Sequence, residues 1–197
     1  YARFLLPANG EFMKPSVLIL GASGFIGSHL LRAAQADSHI KVQGFASSRL
    51  DLTDREQVMR VLPGLLDGSL LIMVATVRPD HQGSADPFQS NIEMCRNVAE
   101  AVKQSSPCHV VYVSSVDVYG RSGLSLPLTE DSPLHPDNLY GISKLTGEFL
   151  FQVASAYSRT PLTVLRPPLI YGPGMAAYSL LARWIRQASE DHPMDIL

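Results

Sequence analysis

Tyr140 and Lys144 stand four residues apart in Tyr140-Gly141-Ile142-Ser143-Lys144. On a helix that spacing puts both on one face. An ammonium beside a phenol favours the phenolate and lowers the tyrosine pKa from its reference of about 10. A tyrosine tuned in this way exchanges a proton with a hydroxyl near neutral pH. Ser115 follows the apolar run His109–Val113 and can hydrogen-bond the same oxygen. For that it must sit at the carboxyl end of a central strand, outside which the ligands of open α/β sheets bind. Acid–base work at a secondary alcohol or ketone is the chemistry these three residues allow.

A second constellation lies upstream, in Val17-Leu18-Ile19-Leu20-Gly21-Ala22-Ser23-Gly24-Phe25-Ile26-Gly27. An apolar run, three glycines and a helical pattern read as strand, tight turn and helix. Gly21 permits the turn, Gly24 lets backbone approach a pyrophosphate, and Gly27 allows close helix–strand packing. Ser23, Phe25 and Ile26 fill the turn between them. The helix N-terminus offers N–H groups and a positive dipole end to phosphates. The spacing is Gly-x-x-Gly-x-x-Gly, not the Gly-x-Gly-x-x-Gly of the common dinucleotide fingerprint.

The elements that must position these residues alternate strand and helix, as in a doubly wound, mostly parallel α/β sheet. Strands are expected at Val17–Leu20, Lys41–Ala46, Leu70–Ala75, His109–Val113 and Leu162–Leu165. Helices are expected at Ile26–Ala36, after a cap at Thr53 or Asp54, and at Phe88–Gln104, Tyr140–Tyr157 and Tyr178–Ser189. Arg78–Pro87 and Arg121–Asn138 read as loops, the second long enough to be functional or mobile. Too few residues separate the second strand from Asp51 for a parallel crossover to another strand there. Either a strand–helix unit has been shortened away or residues are missing from the sequence.

Composition narrows the classes. The chain has 197 residues, 46% hydrophobic, and a formal net charge of −2. It carries no basic block for nucleic acid or anionic membrane and no apolar run that would span a bilayer. No secretory signal is read in it. The two cysteines, Cys95 and Cys108, form no disulfide framework, which points to a reducing, cytoplasmic compartment; both read as buried core thiols. The six histidines show no ligand spacing, so no metal site is expected.

From about Pro15 to Gly174 the motifs, in this order, resemble the extended short-chain dehydrogenase/reductase family in its NAD-dependent epimerase/dehydratase branch. Gly21, Gly24 and Gly27 match its cofactor turn, and Asp51-Leu52 its adenine contact. Ala75 falls where a central strand meets the cofactor, and Asn91 matches a helix asparagine. Ser115, Tyr140 and Lys144 match its catalytic triad, and Arg166-Pro167-Pro168 opens the segment that passes the nicotinamide. The resemblance implies that Tyr140 is the general acid/base, that Lys144 tunes it and holds the nicotinamide ribose, and that Ser115 orients the reacting oxygen. Ser114 reads as a structural hydroxyl among the residues lining the cofactor. Val116 and Asp117 stand where sugar dehydratases carry Asp-Glu, and Val116 cannot donate a proton, so 4,6-dehydration is disfavoured.

An acid some 20 residues past the glycines would bind the ribose of NAD, but Gly44-Phe45-Ala46-Ser47-Ser48-Arg49 offers none. Arg49 can meet a 2′-phosphate, so the choice between NAD and NADP stays open with a tilt to NADP. The implied layout is a tag or extension at 1–12, an NAD(P)-binding domain at 13–174 and the start of a substrate-binding domain at 175–197. The chain is expected to stop partway through that last domain. Its expected substrate is a nucleotide sugar, epimerised or reduced through a 4-keto form, and its expected assembly a homodimer. A reductase of a non-sugar carbonyl and a non-catalytic cofactor-sensing scaffold are the alternatives.

Overall fold

The structure, a computed structural model, describes residues 16–77, 86–120, 127–177 and 179–190. Five parallel strands form one sheet: β1 (Ser16–Leu20), β2 (Lys41–Phe45), β3 (Leu70–Met73), β4 (His109–Val113) and β5 (Leu162–Leu165). Their order across the sheet is β2-β1-β3-β4-β5. Alternation along the strands sends residues to two cores. Leu18 and Leu20 of β1, Leu71 and Met73 of β3, and Val110 and Tyr112 of β4 enter the larger one. Helices α2 (Arg55–Val61), α4 (Pro87–Lys103) and α5 (Leu139–Ser158) pack on that face, through Val58, Val98, Val102 and Phe151 among others. Val17 and Ile19 face the other core, which Ile26, Leu30 and Leu31 of α1 (Phe25–Gln35) cover. Helices therefore lie on both faces, as the continuous apolar strands require. The two remaining helices are α3 (Pro63–Leu66) and α6 (Leu180–Ser189).

No third strand intervenes between β2 and Asp51. The chain leaves Phe45 through a tight turn in which the Ala46 carbonyl accepts from Arg49 N and Leu50 N, both at 3.0 Å. Leu50 and Leu52 are thereby pulled into the core. Asp54 caps α2 by accepting from Gln57 N at 3.0 Å. The crossover then runs through α2 and α3 to β3, on the far side of β1.

Helix boundaries fall within a residue or two of those expected. The last helix begins at Leu180 because the Ser179 hydroxyl accepts from Ala182 N at 3.2 Å and caps it there. Cys108 departs from expectation. Cys95 is buried, but Cys108 is exposed. It lies in the turn after Pro107, outside the sheet, with its N–H donating to Ser69 O at 2.9 Å. Residues 1–15, 78–85, 121–126, 178 and 191–197 lie outside the described residues, and with them Tyr178, the expected first residue of the last helix. So do the extension at 1–12, most of the Arg78–Pro87 loop and the first part of the Arg121–Asn138 loop.

Candidate active site

The sheet order reverses at β1: its chain continues to β2 on one side, and β3 lies on the other. The crevice at their carboxyl ends is where such sheets take a dinucleotide. Gly21 adopts φ +93° there, and Gly21 N and Ala22 N both donate to Phe45 O at 3.0 Å. A Cβ at Gly27 would lie 2.1 Å from Gly21 O, so only glycine lets α1 approach β1 this closely. A Cβ at Gly21 would come within 2.6 Å of the Ala75 backbone, which brings the exits of β1 and β3 together. Gly24 is the N-cap of α1; no side chain caps that end, and its first turn holds no acid. Ser23 is exposed, and Phe25 and Ile26 are half-buried. An open, uncapped helix N-terminus behind a glycine turn fits the pyrophosphate of a dinucleotide.

Around this turn the remaining expected contacts spread over three exits. Arg49 is exposed, and its guanidinium lies 5.1 Å over the Phe45 ring at the end of β2. The Asp51 carboxylate is spent locally, accepting from Thr53 N at 2.9 Å and Thr53 Oγ1 at 2.7 Å. Leu52 is buried, and its carbonyl accepts from Asn97 Nδ2 at 2.9 Å. Asn91, on α4, commits its amide to the backbone after β3. Its Oδ1 accepts from Val77 N at 2.8 Å, and its Nδ2 donates to Val77 O at 2.9 Å.

The acid–base residues gather at the exits of β4 and β5. Ser114 and Ser115 follow β4, and the chain then winds into a three-ten turn, Val116–Tyr119. The Ser115 hydroxyl caps that turn, donating to Asp117 Oδ2 at 2.8 Å and accepting from Asp117 N at 3.2 Å. Asp117 is thus the local partner of Ser115. The first turn of α5 packs on this three-ten turn so closely that a Cβ at Gly141 would meet Asp117 O at 2.6 Å. Asn138 caps α5 with its side chain on Gly141 N at 2.8 Å. Tyr140 is half-buried in that first turn, and Lys144, one turn on, is 4% exposed. Lys144 Nζ donates to Val113 O at 2.8 Å and lies 5.8 Å from the Tyr140 ring centroid and 5.2 Å from that of Tyr112. Burial pulls the Lys144 pKa down to about 8, which leaves it mostly an ammonium at neutral pH. Pro167 closes the arrangement, its carbonyl accepting from Val116 N at 3.1 Å.

Sequence reasoning missed two groups that hold this site. Glu148, 1% exposed, accepts from the Ser114 hydroxyl at 2.5 Å and pairs bidentately with Arg166, through Nη2 at 2.8 Å and Nε at 3.1 Å. Its position four residues after Lys144 on the same inner face was the available signal. His29 of α1 hydrogen-bonds Pro173 O through Nε2 at 2.8 Å and stacks edge-on with Phe25 at 5.2 Å. This pins the segment after β5 against the first turns of α1. Among the described residues no group of His, Cys, Asp and Glu is placed to hold a metal ion. Among them, too, no helix is long and apolar enough to cross a membrane.

Known proteins are similar to this chain. The chain is 30% identical over 172 residues to an N-acetyl-alpha-D-glucosaminyl-diphospho-ditrans,octacis-undecaprenol 4-epimerase of Escherichia coli O157:H7, covering 81% of this chain and 50% of that protein. It is 32% identical to methionine adenosyltransferase 2 subunit beta of Xenopus laevis, covering 79% of this chain and 47% of the relative. Among solved structures it superposes with a TM-score of 0.77 on UDP-glucuronic acid 4-epimerase from Bacillus cereus, at 26% identity, covering 92% of this chain and 65% of the other. That structure is of a tyrosine-to-phenylalanine mutant in complex with UDP-4-deoxy-4-fluoro-glucuronic acid and NAD. The chain spans about half the length of the curated relatives it matches. The family model for NAD dependent epimerases and dehydratases matches residues 17–197, and the chain belongs to that family.

Proposed function

We propose that the protein oxidises and reduces a secondary alcohol of a nucleotide sugar, as a 4-epimerase or a related NAD(P)-linked enzyme, with Tyr140 as its acid and base. The observation that carries this reading is the buried Lys144 ammonium, held by Val113 O one helical turn from Tyr140 at the carboxyl edge of the sheet. A fixed positive charge there stabilises a tyrosinate, so the Tyr140 phenolate takes a proton from a sugar hydroxyl and, as the phenol, returns it to the oxygen of the ketone. Ser115 orients the same oxygen once its hydroxyl turns from Asp117 towards substrate. Gly21, Ser23, Gly24, Phe25, Ile26 and Gly27 frame the pyrophosphate. Asp51, Leu52, Ala75, Ser114 and Pro167 flank the rest of the dinucleotide, and Asn91 shapes the crevice by holding the backbone beside Ala75. A bound nicotinamide supplies hydride transfer. The solved relatives that hold NAD support NAD as the cofactor. Arg49, stacked on Phe45 where a ribose 2′-group would lie, keeps NADP in the reading.

Residues 13–174 make up the cofactor domain, and 175–197 begin the part that selects the substrate. Phe149, Val153 and Tyr157 expose an apolar stripe on α5 beside Arg96, Glu100 and Lys103 of α4, which supports a homodimer formed through those two helices. The likeness to a methionine adenosyltransferase subunit favours a second reading, a cofactor-binding subunit that does not turn over substrate. Tyr140→Phe separates the two. NADH fluorescence titration measures cofactor affinity, and chromatography of nucleotide sugars measures interconversion. The enzyme reading expects cofactor affinity within about twofold of the wild type and turnover reduced at least 100-fold, the lower range for a general acid/base. Unchanged turnover overturns it.

A further inference from the structure

Beneath the candidate site lies a buried ionic cluster that the proton transfer at Tyr140 does not itself use. Glu148 is on the helix that carries Tyr140 and Lys144, one turn beyond the lysine, and is 1% exposed. One of its oxygens takes the Ser114 hydroxyl and Arg166 Nε; the other takes Arg166 Nη2. Arg166 continues outward, donating to the Tyr119 hydroxyl at 2.8 Å and to Glu130 O at 3.2 Å, with its guanidinium 5.2 Å over the Tyr119 ring. The two side chains therefore join α5, the exit of β4, the three-ten turn, the exit of β5 and the segment around Glu130. Val116, Tyr119, Glu130 and Arg166 line one cavity beside the exits of β4 and β5.

We propose that Glu148 is a positioning residue for this site: its carboxylate locks the Ser114–Ser115 strand exit and Arg166 to the helix bearing Tyr140 and Lys144, and its charge keeps the Lys144 ammonium in place. The proposal rests on the reading of Tyr140 and Lys144 given above. Lys144 is surrounded by the Cys95 thiol of α4, the Tyr112 ring of β4, and Tyr140 and Glu148 of its own helix, with Arg166 behind Glu148. Asp117, on the three-ten turn, spends its carboxylate on Ser115. Burial pulls the lysine pKa down, and Cys95 and Glu148 oppose it. Burial also raises the Cys95 pKa, so that thiol is uncharged at neutral pH and leaves Glu148 as the working counter-charge. A carboxylate and an ammonium at i and i+4 on one helix are neighbours, and at such separations in protein the coupling reaches the order of one pKa unit or more.

Two variants give shifts of opposite sign. Glu148→Gln keeps the shape and removes the negative charge, leaving Arg166 uncompensated near Lys144. Arg166→Gln removes the competing cation and leaves Glu148 to Lys144 alone. The readout is the titration midpoint of the Lys144 ε-carbon in protein labelled with [ε-13C]lysine, assigned by its loss in Lys144→Met. The midpoint is expected to fall by about one pH unit in Glu148→Gln and to rise by a smaller amount in Arg166→Gln, since Arg166 lies beyond Glu148. If Glu148→Gln does not fold, Glu148→Asp, which keeps the charge on a shorter arm, is read against Arg166→Gln. The expectation is then a midpoint near the wild type in Glu148→Asp and a raised one in Arg166→Gln. A midpoint unmoved in both Glu148→Gln and Arg166→Gln overturns the proposal, as does a shift of the same sign in both. This readout needs no turnover, so a protein that turns over no nucleotide sugar would sink the functional reading and still decide the role of Glu148.

Discussion

Gly27→Ala tests whether the cofactor turn is built on contact rather than on glycine flexibility. The added Cβ would lie 2.1 Å from Gly21 O, 2.8 Å from Gly21 C and 2.9 Å from Ala22 Cα. All three are backbone atoms of the turn, so no side chain can swing aside. Relief requires α1 to back away from β1, which loosens Ile26, Leu30 and Leu31 from Val17 and Ile19. Overpacking of this kind costs about 1–3 kcal/mol or more. Alanine returns about 1 kcal/mol of helix propensity. Because the clash is with backbone at 2.1 Å, the upper end of that range applies, and a net loss of about 2 kcal/mol follows, or roughly 4–8 °C in Tm for a domain of this size. Two other glycines calibrate the measurement. At Gly24 a Cβ meets only Gly21 O, at 3.3 Å, and at Gly64 it meets nothing within 4 Å. Gly24→Ala should leave Tm within a degree or two but, on the proposed reading of this turn as the pyrophosphate site, weaken NADH binding. Gly64→Ala, in α3, should match or exceed the wild-type Tm. Thermal unfolding by circular dichroism and NADH fluorescence titration read all three. Gly27→Ala with wild-type Tm and wild-type NADH affinity would refute the contact argument.

Stability should also climb with pH where Lys144 titrates. Its pKa is about 8 in the fold against 10.5 for the free side chain, so between those values the unfolded chain holds the extra proton and folding gains with rising pH. The difference in urea-unfolding free energy between the wild type and Lys144→Met should grow by roughly 3 kcal/mol from pH 7 to above pH 10; a flat difference counts against the buried ammonium. Asn91→Ala removes both bonds to Val77 and should cost about 1 kcal/mol in the same assay, since the N–H and C=O it leaves unpaired are only half-buried. Of the two thiols, Cys108 should react with an aromatic disulfide reagent in the native protein and Cys95 only on unfolding, and prompt modification in Cys108→Ser would contradict the burial of Cys95.

What could be read from the sequence was what is local in it. The glycine turn, the four-residue step from Tyr140 to Lys144 and the apolar runs of β1, β3 and β4 each specify their geometry within a few residues. Asp54, one of the two caps expected for α2, announces its helix by type and place. Contacts between distant stretches left no such mark. Glu148 and Arg166 are 18 residues apart and meet only because α5 packs over β4 and β5. Cys108 has the type of a core residue, yet one residue of offset from β4 turns it out to solvent. The three-ten turn at Val116–Tyr119 is hidden in the sequence because Ser115 reads there as a candidate catalytic hydroxyl, whereas in the fold its side chain caps the turn.

The His29–Pro173 bond spans 144 residues. A ribosome adding about 5–20 residues per second needs roughly 7–30 s to make the stretch between those partners. The glycine turn therefore emerges first of the two, while the rim that presses on it arrives only after β5 has been made. During that interval the nascent crevice has a floor and lacks one wall, and its first half must rely on the β1–β2 and β1–β3 pairings to persist. Synonymous codon changes that slow translation between α4 and β5 would lengthen that exposed period without altering the finished molecule.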